Sequence, residues 1–153
     1  MQRILLFLGL ILGLSYQSLH AQAVPAWQAN GLSLHVGTNL FVIPVVASYE
    51  RYVHREKVHW GFGTGLTWAP ATGRGYGLNL GGQLTVSMWT GQGKHHFEAK
   101  TGLVAGHFEG DFFETNVLPV LTLGYRLQKP GEPFFFRADL GVGGIGVGLG
   151  TTF

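Results

Sequence analysis

The 153-residue chain contains no cysteine, which excludes both a disulfide framework and a thiolate metal site. Charge is scarce as well. Asp, Glu, Lys and Arg make up 12% of the residues, against roughly 25% in an ordinary globular chain, and that is too little to cover a water-facing surface. The formal net charge of +2 comes from scattered side chains, so no nucleic-acid footprint is expected. Beyond residue 23 no apolar run approaches the ~18–20 residues of a transmembrane helix. If lipid is the solvent of such a chain, it must cross as strands. Only a closed barrel then leaves no backbone edge unpaired in hydrocarbon.

What the chain does have is glycine, 25 residues, and aromatics, 13%. Its first residues also follow a pattern: Arg3, an apolar run over 4–14, then a polar stretch ending in Ala21-Gln22-Ala23. That is the layout of a secretory leader, too short to span a bilayer. We expect a signal peptide over 1–23, cleaved after Ala21 or Ala23, and one domain over 24–153.

Period-two alternation predicts strands over 32–38, 44–53, 58–68, 76–89, 95–105, 117–128, 133–142 and 145–153. Eight is an even count, as bacterial barrels require. The connections at 54–57, 90–94 and 129–132 are short and polar, and those at 69–75 and 106–116 are longer. Short and long alternate, which is the pattern of an up-and-down antiparallel barrel with tight turns at the periplasmic end. The connections around 39–43 and 143–144 are unusually brief.

The phases of the alternation decide which face is apolar. The third strand sets Val58, Trp60, Phe62, Leu66 and Trp68 against His59, Gly61, Gly63, Gly65 and Thr67. The fourth sets Leu78, Leu80, Leu84, Val86 and Met88 against Gly77, Asn79, Gly81, Gln83, Thr85 and Ser87. A water-soluble barrel would need its second phase richly charged, but here that phase is glycine and small polar residues. Such side chains suit the narrow interior of an eight-stranded barrel, so the apolar phase is assigned outward, to lipid. Trp60, Trp68, Tyr76, Tyr125, Phe134 and Phe153 are then the expected aromatic girdles at the two interfaces. Tyr49 would join them.

Nearly all strand charges fall on the inward phase: Glu50, Glu98, Lys100, Arg126, Arg137 and Asp139, with His35, His59 and His96. Three acids balance three bases, and in a poorly hydrated lumen they are expected to pair. A lumenal charge network of this kind reads either as a conduit lining or as a plug. The narrowness of eight strands favours the plug.

His95 and His96 are adjacent, so on a strand they face opposite sides and cannot share an ion by themselves. No metal site and no cofactor is expected. Ser33, Ser48 and Ser87 show no nucleophile-base spacing, and His107, Glu109, Asp111 and Glu114 read as a solvated loop. No catalytic residue is expected.

Several segments resemble the small outer-membrane β-barrel proteins of Gram-negative bacteria: Ala47-Ser48-Tyr49-Glu50-Arg51-Tyr52, Gly93-Lys94-His95-His96-Phe97-Glu98, and Leu123-Gly124-Tyr125-Arg126-Leu127-Gln128 with Pro133-Phe134-Phe135-Phe136-Arg137-Ala138. The final strand ends in Phe153, similar to the terminal aromatic by which the barrel assembly machinery of that membrane recognises its clients. The resemblance implies an outer-membrane barrel surrounded by lipid, inserted by that machinery and monomeric. It carries over no active-site residues. A non-enzymatic structural or surface-interaction role is therefore expected first. A lipid-modifying barrel enzyme and a narrow porin-like conduit for small or apolar solutes are the alternatives.

Overall fold

The computed structural model describes residues 27–38, 43–55, 57–70, 79–107, 117–142 and 144–153. They form eight strands, β1 (Asn30–Thr38), β2 (Val45–His54), β3 (Val58–Ala69), β4 (Asn79–Thr90), β5 (His95–His107), β6 (Val117–Leu127), β7 (Phe134–Gly141) and β8 (Gly144–Thr152). Each pairs antiparallel with the next, and β8 returns to β1 to close the barrel. Closure is a full ladder, from Gly31 opposite Thr152 to Thr38 opposite Ile145. It is completed by reciprocal backbone bonds between Asn30 and Phe153 of 3.1 and 2.9 Å.

All eight expected strands are present, with ends displaced by a residue or two. β5 runs on to His107, and Pro44 precedes β2 rather than opening it. Proline has no N–H to give a ladder, yet the Pro44 carbonyl still accepts the Gly37 N–H at 2.9 Å. The expected leader, the expected strand start at Tyr76 and the loop residues Glu109, Asp111 and Glu114 lie outside the described residues.

Turn chemistry follows the sequence closely. Between β6 and β7, Lys129-Pro130-Gly131-Glu132 closes with Glu132 N–H donating to the Lys129 carbonyl at 3.1 Å, and Gly131 has φ +79°. Proline followed by a positive-φ glycine is the requirement of a type II turn. We call this end of the barrel, which also holds Arg55, Lys57, the connection 91–94 and residues 27–29, the turn end. The opposite end is the loop end.

The barrel is inside out relative to a water-soluble domain. Among the described residues, fourteen buried side chains are polar or charged and only five are hydrophobic. The apolar phase points outward on every strand, with Leu66, Leu84, Leu140 and Leu149 each at least 60% exposed. The glycine phase points inward: Gly61, Gly63 and Gly81 are buried on the lumenal wall.

Candidate functional site

Because the inward phase runs along all eight strands, the candidate site is the lumen itself. Its centre is Glu50. One oxygen, Oε1, accepts from Arg137 Nη1 and from Lys100 Nζ, both at 2.9 Å, and the other, Oε2, accepts from Arg137 Nη2 at 3.1 Å and from the Tyr52 hydroxyl at 3.0 Å. The arginine fork meets the carboxylate two bonds to two oxygens, the strong arrangement for this pair. Glu98 sits farther off, with Oε1 3.6 Å from Arg137 Nη2. Glu50, Arg137 and Glu98 are all nearly fully buried, and three strands, β2, β5 and β7, meet at one ionic knot.

Arg126 departs from the expected charge pairing. Among the described residues no carboxylate holds it. Its Nε and Nη2 donate to Gln128 Oε1 at 2.8 and 2.6 Å, and its guanidinium carbon lies 4.0 Å from the Phe135 ring centre, 4.3 Å from Trp89 and 5.0 Å from Tyr52. Three aromatic faces supply what a carboxylate otherwise would, since ring quadrupoles attract a desolvated cation. Asp139 is separate too, pairing with His35 at 3.0 Å. The six expected charges thus form a knot, an aromatic box and an isolated pair rather than one network.

Below the box, toward the turn end, lies a layer of rings. His54 and His59 approach through their Nδ1 atoms at 3.0 Å, and their Nε2 atoms contact the carbonyls of Gln28 and Gly91, each at 3.1 Å. His96 bridges the carbonyls of Thr90 and Gln128 at 2.8 and 3.1 Å. Trp27 lies over all three, with centroid distances of 5.8, 4.9 and 5.3 Å. Among the described residues no group of His, Asp and Glu is arranged to hold a metal ion. His95 instead faces outward against the Tyr125 hydroxyl.

Tyr52, Trp89, Phe135 and Trp27 are the lumenal residues that the sequence reading left without a role. Tyr52 and His54 continue the Ser48–Glu50 phase, and Trp89 continues that of Thr85 and Ser87. That continuation was the available signal. Of the expected girdle residues, Trp60, Trp68, Tyr125, Phe134 and Phe153 all face outward and are 40–73% exposed; Tyr76 lies outside the described residues.

The loop-end half of the lumen is built differently. Its inward positions include Val46, Gly65, Thr67, Gly81, Gln83, Gly102, Val104, Leu118, Val120, Gly141 and Gly146, mostly small or aliphatic, together with the His35–Asp139 pair. Ser33 and Ser48 hydrogen-bond one another at 2.8 Å. The lumen is therefore a filled plug at one end and a small-residue cup at the other.

The class that fold and site define is a closed eight-stranded antiparallel barrel with a half-plugged interior. Compared with protein-family models, curated proteins and solved structures, the chain matches none of them.

Proposed function

We propose that this protein is an integral bacterial outer-membrane barrel, exported behind a signal peptide, non-enzymatic and monomeric, with a structural or surface-interaction role and no through-channel. The observation that carries the reading is the outward row: all eight strands expose large hydrophobic side chains. Soluble monomers rarely expose more than a few hundred Å² of contiguous apolar surface, whereas a lipid-facing barrel exposes a continuous apolar band flanked by aromatics. Phe153, 55% exposed beside the β1–β8 seam, is the residue through which the barrel assembly machinery would recognise the last strand.

The plug supports the absence of conduction. Ions crossing the lumen would have to break the Glu50–Arg137 fork and pass the Arg126 ring box, groups with no solvent to replace their partners. Refolded in detergent, the chain should migrate faster on a gel unboiled than boiled, and in planar bilayers it should be electrically silent. A chain with no heat-dependent mobility is not such a barrel. Sustained conductance steps would replace the plug reading with the conduit.

A further inference from the structure

Charge in this chain is sorted by position. Inside the lumen three acids, Glu50, Glu98 and Asp139, meet three bases, Lys100, Arg126 and Arg137, so the interior contributes no formal net charge. Outside the lumen, cations gather toward the turn end. Arg51, Arg55, Lys57, Lys94 and Lys129 lie there, against Glu56 and Glu132: five bases less two acids, a surplus of three. By sequence the connections at the opposite end, 70–78 and 108–116, hold one base, Arg74, against Glu109, Asp111 and Glu114. Glu56 and those last four lie outside the described residues.

The cations of three neighbouring turns form one arc. The Lys57 carbonyl accepts the Gly91 N–H at 3.3 Å, and the Lys94 carbonyl accepts the Gln128 N–H at 3.0 Å, so the turns that follow β2, β4 and β6 are joined edge to edge. Arg55, Lys57, Lys94 and Lys129 stand along them, all exposed. Lys129 is met by Glu132, Nζ to Oε1 at 2.8 Å. Glu132 is the only acid among the described residues of these turns. Arg55, Lys57 and Lys94 therefore supply the remaining cationic charge of the arc.

Next to the arc the outer wall is apolar and aromatic: Val53, Trp60, Phe97, Tyr125 and Leu127 are 39–55% exposed. Trp60 is three residues from Lys57, about 10 Å along the strand, and Val53, its ladder partner, is two residues from Arg55. Trp and Tyr settle at the boundary between hydrocarbon and headgroups, and the headgroup layer beyond each face of the hydrocarbon core is roughly 5–8 Å deep. Cations that follow the rings by about one such depth stand among lipid phosphates. An occupant of this surface must therefore present hydrocarbon and an anion together. A soluble acidic protein or a nucleic acid matches the cations and leaves the rings unmet. A phospholipid with a net negative headgroup matches both.

We infer that the arc of Arg55, Lys57 and Lys94 selects anionic phospholipid headgroups and holds them against the aromatic face that carries Trp60 and Tyr125. This rests on the membrane reading, and the two can be tested separately. The full chain is refolded into phosphatidylcholine vesicles with a trace of spin-labelled phosphatidylglycerol or spin-labelled phosphatidylcholine, and electron paramagnetic resonance reads the fraction of each label immobilised at the protein. Both lipids should show an immobilised fraction. Phosphatidylglycerol should be favoured about threefold over the whole circumference, since one cation near the surface is worth roughly fivefold but the arc spans only part of the wall. Salt at about 1 M, where charges act over only ~3 Å, should bring the ratio toward one. Arg55→Gln, Lys57→Gln and Lys94→Gln together should do the same and leave the phosphatidylcholine fraction unchanged, whereas Lys129→Gln, whose charge Glu132 already offsets, should move the ratio least. Millimolar glycerol phosphate, the headgroup anion without its chains, should not compete. Equal immobilisation of the two lipids, or a preference that the triple substitution or high salt leaves in place, overturns the inference and spares the membrane reading. So does a preference abolished by glycerol phosphate, which marks a site for free anions. No immobilised fraction for either lipid overturns both.

Discussion

The two halves of one lumen are built on opposite principles. At the turn end, Tyr52, His54, His59, Trp89, His96, Arg126, Gln128, Phe135 and Arg137 fill the interior, and most of their polar atoms are bonded. At the loop end the same strands contribute mainly glycine and small or aliphatic side chains, with the His35–Asp139 pair among them. The wall is identical in kind, so the difference lies in the volume and charge of the side chains. Large side chains are concentrated where the chain has its tight turns, and small ones where the strands are uneven.

Breaking the knot should produce the largest effect. Glu50→Ala leaves Arg137 and Lys100 cationic and without their carboxylate in a buried site, a loss of about 3–5 kcal/mol, read as a lower urea midpoint for unfolding from lipid vesicles. Arg126→Lys comes next. An ammonium can neither lie flat in the three-ring box nor present two donors to Gln128, so roughly 2 kcal/mol is expected to disappear in the same assay. The smallest effect belongs to the cup. Thr67 Oγ1 is buried without a hydrogen-bond partner, so Thr67→Val should be neutral or stabilising by less than about 1 kcal/mol. A cost at Thr67 equal to that at Glu50 would erase the distinction between the halves.

Period-two patterning made the barrel legible, because each phase of each strand has one environment over its whole length. Gly61, Gly63 and Gly65 against Phe62 and Leu66 left little freedom in the assignment. What alternation does not contain is which inward residues meet across the lumen. That depends on the stagger between strands: Arg126 and Trp89 lie on strands that are not neighbours, yet their side chains stack at 4.3 Å. His54 read as a turn residue because Arg55, Glu56 and Lys57 follow it, although its phase is that of Glu50 and Tyr52. The early end of the β6–β7 ladder, at Thr122 opposite Gly141, was hidden for a related reason. Strand length is visible in a sequence, but how far two strands remain paired is not.

The seam between β1 and β8 joins Asn30 to Phe153, 123 positions apart. Until β8 arrives, every partly assembled sheet has two raw margins, and in hydrocarbon each unmet amide there costs several kcal/mol. Such a ring cannot mature gradually from one side, since its most distant pairing is also the one that removes the penalty from both margins at once. On the membrane reading proposed above, whatever delivers the chain into a bilayer must shelter β1 for as long as the remaining strands take to come round.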